Sequence, residues 1–308
     1  MDRLDAMSVL LAVVDAGSLS AAGRRLGMPL ATVSRKLADL EAHLKARLLS
    51  RSTRRLALTD TGRAYVDACK RILDEVGEAE RAAAGEYSVP KGELVVTAPL
   101  VFGRLHVLPV VTEFLLAYPA VDIRLALGDR ISHLLDEHLD LAVRIGPLAD
   151  SSLTATGVGW LRRVVCGSPA YLAARGTPKA PAEVGAHDCI TFDAMAAAEQ
   201  WTFRLGKSDS AVSVHSRLVV NTAEAAVDAA KAGLGLTRLL SYQIDAAHRA
   251  GELKVVLEGF EPPPIPVSMV FNAQQRIPLK LRAFLDFAAP RLRERLLALA
   301  VGAPALRD

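Results

Sequence analysis

The sequence predicts an α/β protein that carries an all-α winged helix-turn-helix at its N-terminus. Three observations lead there. The first ninety residues place apolar side chains at steps of three and four and hold most of the excess positive charge. From residue 93 onward, strand-like apolar runs alternate with helical ones, the pattern of an α/β domain. Between the two parts, a long amphipathic stretch ends at Gly85, Ser88, Pro90 and Gly92, which mark a boundary near residue 90. A chain of 308 residues has room for two or three domains with full cores. With 51% apolar and 23% charged residues it is excluded from the disordered and collagen-like classes.

The net charge of +3 is too small to name a partner. Its distribution says more. From Arg24 to Arg55 nine basic residues face two acidic ones, so this segment carries seven positive charges and the rest of the chain four negative. A polyanion partner fits that asymmetry; on charge alone a solvated, arginine-rich face fits as well. The cysteines Cys69, Cys166 and Cys189 are odd in number and far apart, as in a reducing compartment. No basic leader precedes an apolar run, and the most apolar stretch, Leu94 to Leu116, is broken by Pro99, Arg104, Pro109 and Glu113. The expectation is a soluble cytoplasmic protein with no membrane partner.

The first helix is read from Leu4, Met7, Leu10, Leu11 and Val14, and ends at Asp15-Ala16-Gly17. Ser18 can cap a second helix bearing Leu19, Ala22 and Leu26, with Gly27 allowing a sharp turn. A third helix starts at Pro29 and turns Leu30, Val33, Leu37, Leu40 and Leu44 inward. Small residues at Ala21, Ala22 and Gly23 let two helices cross closely, completing a helix-turn-helix. Candidate DNA contacts are Ser18 and the opening of the third helix, Pro29, Leu30, Ala31, Thr32, Ser34, Arg35 and Lys36, with Arg35 the strongest candidate for a base edge. An Arg-rich loop and the alternating Leu56 and Leu58 suggest a wing, in which Arg51, Thr53, Arg54 and Arg55 would lie along phosphate. A further helix follows, with Tyr65, Cys69, Ile72, Val76, Ala79 and Ala83 at alternating steps of four and three. A lone rod of roughly 40 Å would be marginal, so a second copy is expected to cover this seam.

In the larger part, strands are expected at Glu93 to Thr97, Val121 to Leu127, Leu141 to Ile145, Arg163 to Cys166, Arg217 to Val220, Leu236 to Leu239 and Val267 to Phe271. Helices are expected around Leu105 to Ala117, Ser132 to His138 and Ala223 to Ala232, and the sheet is expected to be mostly parallel.

The N-terminal segment resembles the winged helix-turn-helix of LysR-type transcriptional regulators. The resemblance rests on Gly17-Ser18-Leu19-Ser20-Ala21-Ala22, Leu26-Gly27, Val33-Ser34-Arg35-Lys36-Leu37, Leu40-Glu41, Arg47-Leu48-Leu49, Arg51, Thr53-Arg54, Leu58-Thr59 and Thr61-Gly62. Farther on, Asp140 to Gly146, Asp150-Ser151-Ser152-Leu153, Cys166, Ser168 to Leu172, Gly176-Thr177-Pro178 and His187-Asp188-Cys189 look like one subgroup of that family. Two departures stand out: Pro29-Leu30 where the family has Ser followed by Gln or Pro, and Leu239-Leu240 where it commonly has Leu-Pro.

The resemblance implies a DNA-binding domain at 1–59, a dimerising linker helix at 60–87, a hinge at 88–92 and an effector-binding domain at 93–308. The last has the type 2 periplasmic-binding-protein fold, with subdomain I at 93–162 and 267–308 and subdomain II at 163–266. It implies a non-enzymatic regulator of promoter DNA without a cofactor, modulated by a small-molecule effector such as an organic acid. Self-association to a dimer or tetramer and contact with RNA polymerase complete the expected partners.

In such folds ligands collect at the carboxyl ends of strands. By resemblance the inter-domain cleft is lined from Thr97, Pro99, Leu100, Val101, Asp129, Ile131 and Arg144 on one side, and from Phe192, Asn221, Thr222, Thr237 and Arg238 on the other. Thr97, Asn221 and Thr222 would donate to a carboxylate, with Leu100, Ile131 and Phe192 as apolar walls. Threonines that merely cap helices or finish strands fit the same pattern, and Arg144 can equally pair with a buried acid.

Other function classes leave less trace. No Cys-His-acid spacing, His-Glu-x-x-His, phosphate loop or Cys-x-x-Cys is present to support an enzyme on the same fold. A transport-type binding protein would leave the basic N-terminus unexplained. A thiol-based redox sensor would use Cys166 and Cys189. A metal sensor would need His106, His133, His138, His187, His215 or His248, none at ligand spacing.

Overall fold

The computed structural model describes residues 1–52, 55–83, 89–129, 139–148, 153–192, 199–273 and 277–300. Two compact units emerge, Met1–Val89 and Pro90–Asp308.

In the first unit, α1 (Arg3–Ala16) opens on Asp2, whose Oδ1 accepts the Leu4 and Asp5 N–H groups at 3.0 and 3.3 Å. Gly17 closes α1 at φ 67°, and Ser18 starts α2 (Leu19–Leu26) by accepting the Ala21 N–H at 3.1 Å. Gly27, at φ 64°, ends α2, and α3 (Leu30–Leu44) follows. A methyl group on Gly23 would sit 2.8 Å from the Met28 carbonyl oxygen, so the turn between α2 and α3 closes only over a glycine. Strands β1 (Leu49–Ser52) and β2 (Arg55–Leu58) pair antiparallel from Leu49↔Leu58 to Ser52↔Arg55, forming the wing. Thr59 Oγ1 accepts the Gly62 N–H at 2.9 Å at the start of α4 (Asp60–Ala83) and donates to the Arg47 carbonyl at 2.7 Å.

Three sequence expectations for this unit are corrected. The buried face of α1 is Ala6, Val9, Leu10, Ala12 and Val13, whereas Leu4 is 40% exposed and Met7, Leu11 and Val14 only half-buried. The arc is set by the three helices α2, α3 and α4 that pack on α1, so the stripe of largest side chains does not decide it. Leu30 is 52% exposed, because the first turn of α3 projects past the core reached by Val33, Leu37 and Leu40. Cys69 is fully buried and Tyr65 half-buried in this chain's own core, beside Val66, which the heptad reading missed. The first turns of α4 cover α1, so of the expected dimer seam Ile72, Val76 and Ala79 retain exposure. The Ala83 side chain lies outside the described residues.

In the second unit, β3 (Gly92–Ala98) runs into α5 (Leu100–Phe102), a π turn at Gly103–Val107, and α6 (Leu108–Ala117). A Cβ at Gly103 would lie 2.2 Å from Leu127 Cδ2 and 3.2 Å from Ala98 Cβ, so a larger residue there would have to displace the Leu127 side chain. Then come β4 (Val121–Leu127), β5 (Leu141–Ile145), β6 (Thr154–Leu161), β7 (Arg163–Gly167), α7 (Pro169–Arg175), β8 (Asp188–Phe192), β9 (Gln200–Leu205) and β10 (Ser208–Ser213). The chain continues through β11 (His215–Val220), α8 (Ala223–Lys231), β12 (Leu236–Leu240), α9 (Ser241–Arg249), β13 (Lys254–Val256), β14 (Ile265–Phe271) and α10 (Leu279–Ala300).

Two five-stranded sheets result, ordered β4-β3-β5-β14-β6 and β11-β8-β12-β7-β13, while β9 and β10 form a separate hairpin. The chain passes between the sheets at Arg162 and returns through 257–264. The two crossings are bound together: Arg162 donates to both carboxylate oxygens of Glu261, at 2.7 and 2.5 Å.

The sheets are mixed where a mostly parallel sheet was expected. Strands β6 and β5 run antiparallel to β14, and β12 and β13 antiparallel to β7, because each lobe completes its sheet with a strand bordering a crossing. The β9–β10 hairpin was not anticipated. Its Trp201 and Phe203 are buried while the alternate residues face outward, a short period-2 signal among polar residues. The apolar segment Leu100–Ala117 is long enough to cross a membrane by composition. It starts five residues before the expected helix, and it buries Phe102, Val107, Val110, Val111 and Phe114 within the unit, Phe114 edge-on to Phe284 at 5.0 Å. The helix expected at Ser132 to His138 lies outside the described residues.

Candidate nucleic-acid interface and ligand cleft

The outward face of α3 begins with Pro29, Leu30 and Ala31, all exposed, and continues with Arg35, which makes no ion pair among the described residues. Pro29 leaves the start of α3 without a side-chain cap, so backbone N–H groups there remain open to an acceptor. Exposed Leu30 and Ala31 offer the apolar contacts that suit thymine methyl groups, and a free guanidinium suits a guanine edge or phosphate. Arg24, Arg25, Lys45 and Arg47 are also exposed, giving this unit a basic surface. Ser18 Oγ is engaged as the cap of α2, which leaves its hydroxyl proton for a phosphate. Thr32 and Ser34 are half-buried.

Lys36 is the exception among the expected contacts. Its Nζ is hydrogen-bonded to Asp5 Oδ2, half-buried against α1, so its charge is neutralised inside the domain and it pins α3 to α1. Glu41, read from the sequence only as part of a motif, has a comparable role. Its Oε1 accepts the Leu48 and Leu49 N–H groups at 2.7 and 3.0 Å, joining the end of α3 to the wing. Arg51 and Arg55 sit on β1 and β2, and their side chains lie outside the described residues, as do Thr53 and Arg54 altogether.

In the second unit a cleft of about 560 Å³ opens between the two sheets. Five expected residues line it: Thr97, Pro99, Asp129, Arg144 and Phe192. Asp129 Oδ1 also accepts the Leu100 N–H at 3.1 Å, fixing the turn into α5, and the Thr97 hydroxyl donates to the Ala126 carbonyl at 3.0 Å. That proton is therefore engaged within the sheet rather than offered to a carboxylate.

Six expected residues do not line the cleft. Leu100 is turned out to solvent at 37% exposure, and Val101 belongs to the core. Asn221 is exposed past the end of the edge strand β11, and Thr222 caps α8 by accepting the Ala225 N–H at 3.3 Å. Thr237 is fully buried and donates to the Ile190 carbonyl at 3.1 Å. Arg238 turns toward the β9–β10 hairpin, where it donates to the Thr202 and Gln200 carbonyls at 3.2 and 3.4 Å and lies 5.6 Å from the Trp201 ring. Ile131 lies outside the described residues.

Among the further lining residues, the sequence reading missed Arg163, Leu240, Tyr242, Gln243, Pro262, Pro263 and Ile265. Tyr242 and Gln243 obey the same strand-end rule, since they open the helix after β12. Arg163 and the Pro262-Pro263 pair border the two crossings, which periodicity does not mark. At the departure from the family pattern, the Leu240 N–H donates to Gln243 Oε1 at 2.8 Å, a bond a proline there would lack.

Burial governs the titratable groups around this cleft. His106 packs 4.9 Å from Phe102 and 5.7 Å from Tyr242, with neither ring nitrogen hydrogen-bonded. Desolvation, with the charge of Arg295 adding to it, pushes its pKa down to about 4. Burial, reinforced by the charge of Asp129, raises the Tyr242 hydroxyl above its usual range.

Burial likewise pushes both Cys166 and Cys189 up to about 12, so neither carries the thiolate that redox sensing requires. They lie on β7 and β8 with β12 between them, opposite Thr237 and Leu236. Two strand spacings, about 10 Å, exceed disulfide reach. No group of three or more His, Cys, Asp or Glu among the described residues is placed to hold a metal ion.

Comparison with known proteins places two family models on the chain. Residues 4–63 match the model of the bacterial regulatory helix-turn-helix protein, lysR family, and residues 88–293 that of the LysR substrate binding domain. An HTH-type transcriptional regulator of Xanthomonas campestris is 34% identical over 288 residues, covering 92% of this chain and 84% of the relative. An HTH-type transcriptional repressor of Pseudomonas aeruginosa is 32% identical over 93% of this chain and 91% of its own length. The Escherichia coli activator AaeR is 30% identical over 93% of each. Among solved structures, CrgA of Neisseria meningitidis, a LysR-type transcriptional regulator, aligns with a TM-score of 0.60 at 29% identity, over 94% of this chain and 98% of that one. The full-length Vibrio cholerae virulence activator AphB aligns at 0.59 and 25% identity, over 93% and 98%.

Proposed function

The chain belongs to the LysR family of DNA-binding transcriptional regulators and is not an enzyme, and from that premise we propose how it reads DNA and what controls it. The α3 face carrying Arg35, Leu30 and Ala31 enters the major groove of an operator half-site, while Ser18, Arg47 and the wing arginines Arg51, Arg54 and Arg55 hold phosphates. The carrying observation is the uncapped start of α3 beside an arginine with no partner among the described residues, on the one strongly basic segment of the chain.

Two copies pair through the exposed seam of α4, Ile72, Val76 and Ala79, and present two such helices to half-sites one or more helical turns apart. Dimers associate further to a tetramer, and the assembly works in the cytoplasm, with RNA polymerase as its partner at the promoter. A small-molecule effector occupies the cleft between the two sheets. It changes DNA bending through its differential affinity for the arrangements of the assembly.

The test is a gel shift and footprint of the full chain on the intergenic DNA beside its own gene, against random DNA, at two salt concentrations. Salt-dependent protection of an interrupted dyad is the expected result. Equal affinity for both DNAs at either salt, with the dimer verified, would refute the reading.

A further inference from the structure

Beside the cleft the two lobes of the second unit also meet where the π turn at Gly103–Val107, and the residue before it, face the start of α9. Phe102 stands edge-on to Tyr242 at 5.3 Å, and His106 lies 4.9 Å from Phe102 and 5.7 Å from Tyr242. Tyr242 belongs to the cleft wall, so this aromatic contact holds one side of the cleft in place. His106 is only 9% exposed, and neither ring nitrogen has a hydrogen-bond partner among the described residues. A buried imidazole normally has its nitrogens satisfied, because each one left unpaired forfeits its bond to water. The position is therefore costly even for the neutral ring, and it sits on a π turn, a geometry found mostly at functional sites.

On balance the charged groups around the ring oppose a proton. On α10, Arg295 bears on His106 with a like charge and is itself shared with Glu113 of α6 at 3.9 Å. On α9, Asp245 favours the charged ring, but its carboxylate is taken by Arg249 at 3.0 Å, and the Tyr242 hydroxyl accepts from Gln243 at 3.4 Å. On the π turn itself, Arg104 is paired across the lobes with Glu224 of α8 at 3.5 Å. Desolvation and Arg295 outweigh Asp245 and hold His106 down to about 4 in the packed arrangement, against about 6.5 for an imidazole in water. A proton added to the ring gives it two N–H donors and a charge, with no acceptor among the described residues. Water reaches them only if the π turn and α9 part.

We propose that His106 makes this contact an acid-sensitive joint between the two lobes: a proton taken from bulk water by the free ring nitrogen parts the π turn from α9 and widens the cleft at Tyr242. The inference goes beyond the reading of the cleft as an effector site and does not depend on it, since the joint opens with or without a ligand. In the open arrangement the ring returns to about 6.5, so the packed arrangement is fully favoured above that pH and loses ground as pH falls toward 4. Between pH 7.5 and 5.5 the open population should rise about tenfold.

The test is hydrogen exchange of the full chain, without added ligand, at pH 7.5 and 5.5, with rates corrected for the intrinsic pH dependence of amide exchange. Peptides covering 100–108 and 240–249 are expected to open about tenfold more often at the lower pH, while peptides of β7 and β8 stay within about twofold. His106→Phe keeps a ring between Phe102 and Tyr242 but takes up no proton, and should abolish the rise. Two charge variants read the same step from outside the aromatic contact. Arg295→Gln should shrink the rise, because the packed ring then tolerates a proton better, and Asp245→Asn should enlarge it. Opposite shifts from two part-exposed positions are not what general destabilisation produces, and they carry the test should H106F not fold. No rise in wild type, an equal rise in H106F, a rise shared by β7 and β8, or charge variants that shift in the same direction would each overturn the proposal.

Discussion

The bond between the recognition helix and the wing rests on one carboxylate, and Glu41→Ala removes it. Glu41 Oε1 accepts two backbone N–H groups, from Leu48 at 2.7 Å and Leu49 at 3.0 Å, and both of those residues are buried, at 1% and 7% exposure. Each hydrogen bond to an ionised acceptor contributes about 1.5 to 3 kcal/mol. Glu41 is half-buried, which argues for the lower end, so the pair sums to about 3 kcal/mol. Two buried amides left without an acceptor should open about 100-fold more often. Hydrogen exchange of the full chain, followed by mass spectrometry on peptides covering 45–52, reads this directly. Glu41→Gln keeps a neutral acceptor and should lose about half as much free energy. Affinity for operator DNA should fall in the same order, because the wing no longer keeps its place relative to α3. Exchange of that segment within threefold of wild type in E41A would refute the reasoning.

Three further outcomes follow from the same geometry. Arg35→Ala should cost the operator about 1 to 3 kcal/mol and random DNA much less, so a gel shift showing equal losses on both would remove Arg35 from base recognition. His106 is neutral in the fold, with a pKa of about 4 against about 6.5 when unfolded. The unfolded chain therefore takes up its proton first on acidification. The contribution of His106 is complete above about pH 6.5 and is lost as pH falls toward 4, by at most about 3 kcal/mol. Urea unfolding between pH 7 and 4.5 should show that slope in wild type and a shallower one in His106→Phe, and identical slopes would contradict it. Finally, a Cβ at Gly62 would lie 2.0 Å from the Leu48 carbonyl oxygen, backbone that cannot yield cheaply. Gly62→Ala should destabilise the first unit by about 3 kcal/mol or more in a thermal melt, and a neutral result would refute that contact.

The sequence by itself determined the limits of the first three helices nearly to the residue, though not the buried face of α1. Its signals are local: Ser18 as a cap, Gly17 and Gly27 at positive φ, and the Val33, Leu37 and Leu40 stripe each act within a few residues of themselves. Strand positions such as Val121–Leu127 and Leu141–Ile145 were equally legible, because continuous apolar runs bounded by turns report burial directly. Family membership came from motifs of the same local kind.

Only the tertiary structure decided which side chains face whom. Lys36, a plausible DNA contact by its place on α3, is held by Asp5 from a helix thirty-one residues away. Cys69 lies on a heptad-like seam, yet the packing of α4 on α1 buries it inside its own chain. In the cleft, the strand-end rule found Thr97, Asp129 and Arg144 but not Arg163, whose place follows from β7 pairing antiparallel with β12. Periodicity reports whether a residue is buried, whereas the partner it meets is fixed by strand order and helix packing between segments far apart in the chain. That is why Arg163 and Arg238, seventy-five positions apart and unremarkable in sequence, come to share one face of a sheet.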